Sequence, residues 1–103
     1  MVKVTVLYPK TATSRFDLTY YLERHMPMVR ERLGAACLKT RVDEGLGGGS
    51  PGAPPPYAAI GHMYFESVAS FQAAFGPHAR DILADIPNYT DVQPLVQVSQ
   101  VRE

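Results

Sequence analysis

An α+β fold, with four antiparallel strands and two helices packed on one face of their sheet, is predicted by three observations. An alternating, β-branched segment opens the chain. Two helical patterns follow, separated by two strand-like runs and closed by a third. Of the eight glycines and nine prolines, most of the irregularity falls between Gly45 and Pro56, which leaves the rest of the 103 residues to regular structure.

Val2-Lys3-Val4-Thr5-Val6-Leu7-Tyr8 alternates and reads as a strand ended by Pro9. Val2, Val4, Val6 and Tyr8 share one face, and Lys3, Thr5 and Leu7 the other. The spacing Ser14-Arg15-Phe16-Asp17 predicts a capping box, after which Leu18, Leu22, Met26, Val29 and Leu33 mark an amphipathic helix ended by Gly34. Pro27 lies inside that helix and predicts a kink near His25, because its ring leaves the Glu23 carbonyl without a donor. A weaker strand over residues 36–44 precedes the 45–56 loop. Tyr57 to Phe65 reads as a buried strand whose small residues admit close approach from above. Ser67 caps a second helix carrying Val68, Phe71, Phe75, Ile82 and Ile86, split by Gly76-Pro77. Turn residues over 87–91 lead to a last strand, Leu95 to Val101, placed at a sheet edge by Pro94. The order β-α-β-β-α-β is that of the ferredoxin-like fold. Both helices on one face leave the other bare, and its apolar residues predict a homodimer.

Composition sets further bounds. The length allows one domain, 1–103, with a core that buries roughly 65% of the unfolded surface. Ten basic side chains balance ten acidic ones, so neither nucleic acid nor an anionic membrane is an expected partner. No segment has the ~20 apolar residues of a membrane span and no signal-peptide pattern precedes the first strand. One cysteine, Cys37, fits a reducing, cytoplasmic setting and is expected to pack quietly. The glycine-rich loop lacks both a phosphate-loop ending and a following helix. It reads instead as an arm, with polyproline character at Pro54-Pro55-Pro56, lying over a pocket mouth or a partner subunit.

Three histidines carry the candidate chemistry. His25 lies one helical turn after Tyr21, so the two are neighbours on one face. One reading makes them a proton-transfer pair lining a pocket beneath the kink. The other makes His25 a half-buried residue bonded to a freed carbonyl. His78 follows Gly76-Pro77 on the core side of its own helix and is a second polar candidate for the same pocket. His62 lies mid-strand with Ile60 and Tyr64, either in a pocket or satisfied across a dimer. No pair has chelating spacing, so no metal site is expected. Tyr8, Tyr64, Phe75 and Tyr89 complete the candidate substrate-binding set, suited to a small apolar or aromatic ligand.

The segment Phe16-Asp17-Leu18-x-Tyr20-Tyr21-Leu22-x-x-His25-Met26-Pro27 resembles the first-helix motif of the EthD family, named for ethyl tert-butyl ether degradation. Pro51-Gly52-Ala53-Pro54, Ala59-Ile60-Gly61-His62, Phe75-x-Pro77-His78 and Asp85-Ile86-Pro87-Asn88-Tyr89-Thr90-Asp91 continue the resemblance in order. It implies a dimeric α+β barrel, in which two ferredoxin-like sheets close face to face, and a place in small-molecule catabolism. It also carries over His25, His62, His78 and Tyr89 as pocket positions. Members often bear reductase labels, which denote pathway association and not mechanism.

Three functions are compatible with these residues. The first is a cofactor-independent oxidoreductase or isomerase acting on an apolar or aromatic intermediate, with His25 as acid/base, Tyr21 orienting it and His78 assisting. The second is a non-catalytic carrier serving an oxidising enzyme. The third is a haem or metal protein. No cofactor is called for by a motif, and haem and flavin stay open.

Overall fold

The computed structural model describes residues 1–103. Strand β1, Val2–Pro9, pairs antiparallel with β3, Tyr57–Phe65, and with β4, Leu95–Gln100; β2, Lys39–Glu44, pairs antiparallel with β3. The order β2-β3-β1-β4 puts β4 at an edge, as Pro94 predicts. The helices cover one face. Helical turn α1, Leu18–Tyr20, runs through a π-helical turn, Tyr21–His25, into α2, Met26–Leu33. Helix α3, Val68–Phe75, passes through a 3₁₀ turn at Gly76–His78 into α4, Ala79–Ala84, and a further 3₁₀ turn spans Ile86–Asn88. The four-stranded antiparallel, helix-backed α+β fold is therefore the one the sequence predicts. No helix is long and apolar enough to cross a membrane.

Register explains which residues reach the helices. Val2, Val4 and Tyr8 of β1 are buried opposite Phe65, Met63 and Ala59 of β3, all on the helix-covered face. An aliphatic cluster of Val2, Val4, Val29, Leu33, Met63, Phe65 and Ile82 fills one end of the interface. Tyr8, Tyr21, Met26, Ala59 and Tyr89 fill the other. The opposite sheet face, with Lys3, Thr5, Leu7, Ile60, His62 and Tyr64, is left without helices.

Two local expectations are corrected, and the loop's place is narrowed. The first cap is not Ser14 but Asp17, whose Oδ1 accepts from Tyr20 N at 3.0 Å; Ser14 instead closes a turn with Thr11. The helix begins later because Phe16 pairs with Thr90 in an isolated bridge, which holds the chain extended up to Asp17. The apolar stripe also departs from the expected residues: Leu22 is exposed, while Tyr21 and His25 are buried. The π turn causes this, since Met26 N donates to Tyr21 O, one residue further back than in an α-helix. Pro27, lacking its own N–H, favours that shifted pattern just ahead of it. Finally, the 45–56 loop folds on itself through Gly48 N to Ala53 O (2.9 Å) and Ala53 N to Ser50 O (3.0 Å), with Gly52 at φ 80°. It contributes nothing to the cavity between helices and sheet.

Candidate functional site

That cavity has a volume of about 280 Å³ and lies between β1, β3 and the helices. Thirteen of its 17 lining residues are hydrophobic; the other four are His25, Gly61, His62 and Pro94. Its walls draw on both clusters, with Val4, Met63, Phe71 and Phe75 at one end and Tyr8, Tyr21 and His25 at the other.

His25 is 4% exposed and is held at both ring nitrogens. Its Nδ1 lies 2.9 Å from Asp85 Oδ2, and its Nε2 lies 3.4 Å from the Tyr89 hydroxyl. Asp85 also accepts from Tyr20 Oη at 2.7 Å and from Asn88 Nδ2 at 2.9 Å, both on Oδ1. Burial acts to raise the Asp85 pKa, but the hydrogen bonds from Asn88, His25 and Tyr20 outweigh it and hold the carboxyl below its ordinary 3.8. The carboxylate is thus ionised near neutrality and can only accept, so the Nδ1 proton sits on His25. Burial lowers the His25 pKa below 6.5 despite the opposing pull of Asp85. The ring is therefore neutral near pH 7, and its Nε2 lone pair accepts from the Tyr89 hydroxyl.

Beyond Nε2 lies a set of phenols. Tyr8 and Tyr89 hydroxyls are 2.7 Å apart, and the Tyr21 phenol adjoins Tyr8. Burial pushes all three phenols above their usual range, so they remain protonated donors. Tyr21 stacks on His25 with centroids 5.4 Å apart and planes 16° from parallel. The segment bearing Tyr89 is tied to the start of α1: Asp17 N donates to Tyr89 O at 2.7 Å and Thr90 Oγ1 to Arg15 O at 2.6 Å.

Gly61 is the floor under Tyr21. A Cβ at that position would collide with the Tyr21 hydroxyl, which is the close approach the small residues of β3 predict. Gly61→Ala is expected to displace the Tyr21 ring and to cost about 1–3 kcal/mol of stability. Thermal melts would check this, and an unchanged midpoint would contradict the packing described.

The acid limb of stability follows from the same groups. His25 binds its proton less readily folded than unfolded, so its neutral form favours folding above pH 6.5 and that advantage is lost as pH falls below it. Asp85, with its folded pKa depressed, adds stability that is present above 3.8 and lost below it. Denaturant unfolding at stepped pH should show a decline beginning near 6.5, absent in His25→Gln. A stability that rises from pH 7 to 5.5 would contradict the burial of a neutral His25.

The other candidate residues fall in different places. Phe75 lines the cavity. His78 is half-buried, makes no side-chain hydrogen bond and does not reach the cavity, so His25 and His78 are not brought together. His62 borders the cavity through its strand, but alternation turns its ring to the open face, where Nε2 meets Asp43 Oδ2 at 2.8 Å. Tyr64 is on that same open face, with Lys39 Nζ 4.6 Å above its ring. Tyr89 lies behind His25 and does not line the cavity. No three His, Cys, Asp or Glu side chains converge in metal-ligand fashion. Cys37 is partly buried against the core, which pushes its thiol pKa up. Asp85, the partner of His25, is the residue of this arrangement that sequence reasoning missed.

A family profile described as "EthD domain" matches residues 10–93. No curated protein matches the chain. Among solved structures, an EthD-like protein from Ralstonia eutropha JMP134 is 47% identical, with 96% of this chain and 89% of that one covered and a TM-score of 0.92. An ethyl tert-butyl ether degradation family protein from Bacillus halodurans C-125 is 18% identical over 99% of both chains, with a TM-score of 0.69. A protein of Arabidopsis thaliana is 14% identical over 100% of this chain and 97% of the other, with a TM-score of 0.71. The last two likenesses are of fold alone.

Proposed function

The chain belongs to the EthD family, and we propose that it binds a small apolar or aromatic molecule between helices and sheet and moves a proton on it with His25. The observation that carries this reading is the Asp85–His25 pair at 2.9 Å, set in the wall of an otherwise apolar cavity. Asp85 fixes the tautomer, and the unprotonated Nε2, held by the long 3.4 Å contact with the Tyr89 hydroxyl, serves as the base when a bound ligand displaces that contact. Tyr21 positions the ring by stacking, and the phenols supply hydrogen-bond donors where negative charge would develop. His78 has no part in this scheme.

The test uses a neutral ring ketone with acidic C–H bonds, 2-indanone, in heavy water. The wild-type protein should accelerate exchange of those hydrogens, and His25→Ala should lose on the order of 10²–10⁴ of the acceleration. Binding of the ketone without any acceleration would place the protein among non-catalytic carriers.

The assembly is proposed as a homodimer joined through the open sheet face. Leu7, Ile60 and Tyr64 offer apolar area there, and Leu95 is 55% exposed. His62 Nδ1, on the same face, is the one buried side-chain polar atom without a hydrogen bond. A second copy would shield the apolar area. Native mass spectrometry is expected to show twice the chain mass; a monomer at micromolar concentration would overturn this.

A further inference from the structure

A ligand can reach the cavity only where its lining meets solvent. Of the 17 lining residues, Leu83 and Val96 alone are exposed, at 54% and 61%; the others are buried or partly covered. The two sit on opposite walls, Leu83 on α4 and Val96 on β4. Topology brings those walls together. The connection from β3 to β4 carries α3 and α4 across β1, which lies between the two strands, so α4 is the last helix before the sheet edge. On that helix Ile82 is buried on the inner side, and Leu83, about 100° further round, lies on the flank.

Register places the strand's side of the opening. Val96 pairs with Val6 and Val98 with Val4, so both valines project to the helix side, yet both are exposed. The helices therefore cover β1 and stop short of β4, leaving a slot along the edge. Ile86 and Pro94, both partly buried, stand beside Leu83 and Val96 on the same two walls. No charged residue protects the edge strand, Leu95-Val96-Gln97-Val98-Ser99-Gln100. Exposed apolar side chains at the rim of an apolar cavity suit a passage, since an apolar molecule sheds its water in stages along them. The polar end offers no such opening: His25 is buried and tied to Asp85 and Tyr89, and the Tyr8 and Tyr89 hydroxyls are tied to each other.

Resting on the reading of this cavity as the ligand site, we propose that ligands enter and leave between α4 and the edge strand β4, with Leu83 and Val96 as the gate. An exposed leucine opens the way by a change of rotamer, with no movement of its helix. Both gate residues lie on the helix side of the sheet, so a dimer joined through the opposite face leaves the passage open.

Stopped-flow fluorescence of naphthalene binding to the full chain tests this. A cavity of 150 Å³ accepts benzene, so about 280 Å³ has room for the two-ring probe. Leu83→Trp and Val96→Trp should each lower the association and dissociation rate constants together, by at least about fivefold, with affinity within about twofold of wild type. Leu83→Ala should raise both rates. Leu46→Trp, on the 45–56 loop that contributes nothing to the cavity, should change neither. Circular dichroism confirms the fold of each variant. Wild-type rates in all three gate variants would overturn the passage. Weakened affinity with an unslowed dissociation rate in the tryptophan variants would make the two residues wall and not gate, and would overturn it equally. Failure of naphthalene to bind the folded wild-type protein would overturn the ligand-site reading itself, and this proposal with it.

Discussion

Tyr89→Ala is expected to cost about 3–5 kcal/mol of folding stability. In a chain of 103 residues that corresponds to a fall in melting midpoint of at least about 12 °C. Tyr89 is fully buried, and its ring meets those of Tyr8, Phe16, Tyr20, Tyr21 and His25 at centroid distances between 4.6 and 6.2 Å. Its removal leaves a cavity that these rings, fixed on β1 and the first helix, cannot close without leaving their own contacts. It also strands the Tyr8 hydroxyl, 2.7 Å away. Tyr89→Phe separates the two losses. It keeps the ring packing and removes only the hydroxyl, so about 1–3 kcal/mol is expected, from the unpaired Tyr8 donor. Melting curves of the three proteins should therefore fall in the order wild type, Phe, Ala. An alanine variant melting within a few degrees of the wild type would mean that the aromatic cluster does not hold this end of the fold.

The same residue shows how far the sequence could be read. Its turn, Pro87-Asn88-Tyr89-Thr90-Asp91, was legible as a turn, and periodicity placed every strand and both helices in order. Local signals sufficed where the cause is local: the Pro27 break, the Gly76-Pro77 split and the edge strand after Pro94 each depend on a proline's missing N–H. The residues with long-range partners were not legible. Asp85 reaches His25 across 60 positions, and in the chain it looks like an ordinary turn-starting aspartate. One signal was available: Asn88 three residues on is suitably spaced to donate back to Asp85 and fix its carboxylate, as it does at 2.9 Å. The swap of Leu22 for Tyr21 on the buried face has a different origin. Helical spacing was counted at an α-helical period, and a single π turn rotates every later position relative to the earlier ones. Sequence shows where a proline perturbs a helix, but the direction of the perturbation depends on packing. Here, burying Tyr21 over Gly61 sets that direction.

Asp85→Asn should convert the base at the cavity wall into a hydrogen-bond donor. Tyr20 and Asn88 both donate to Oδ1, so the amide of the variant must turn its oxygen toward them and its NH₂ toward His25 Nδ1. A protonated Nδ1 would then face another donor, which the ring avoids by moving its proton to Nε2. The net charge beside the histidine is lost as well, so the His25 pKa, already lowered by burial, falls further. Stability should decline by about 1–3 kcal/mol, since an ionic acceptor is replaced by a neutral one. The functional loss should be much larger. Proton abstraction from a bound neutral ketone should fall by on the order of 10²–10⁴, the range over which positioned bases and their tautomer-fixing carboxylates act. Nitrogen-15 spectra of the imidazole separate this from general damage. They should show a protonated Nδ1 and bare Nε2 in the wild type, and the reverse in the variant. Asp85→Ala should be the less stable of the two, because both Tyr20 and His25 then lose their acceptor. A variant Asp85→Asn that keeps the Nδ1 proton and the exchange activity would show that the carboxylate is structural and that His25 is oriented by Tyr21 and Tyr89 alone.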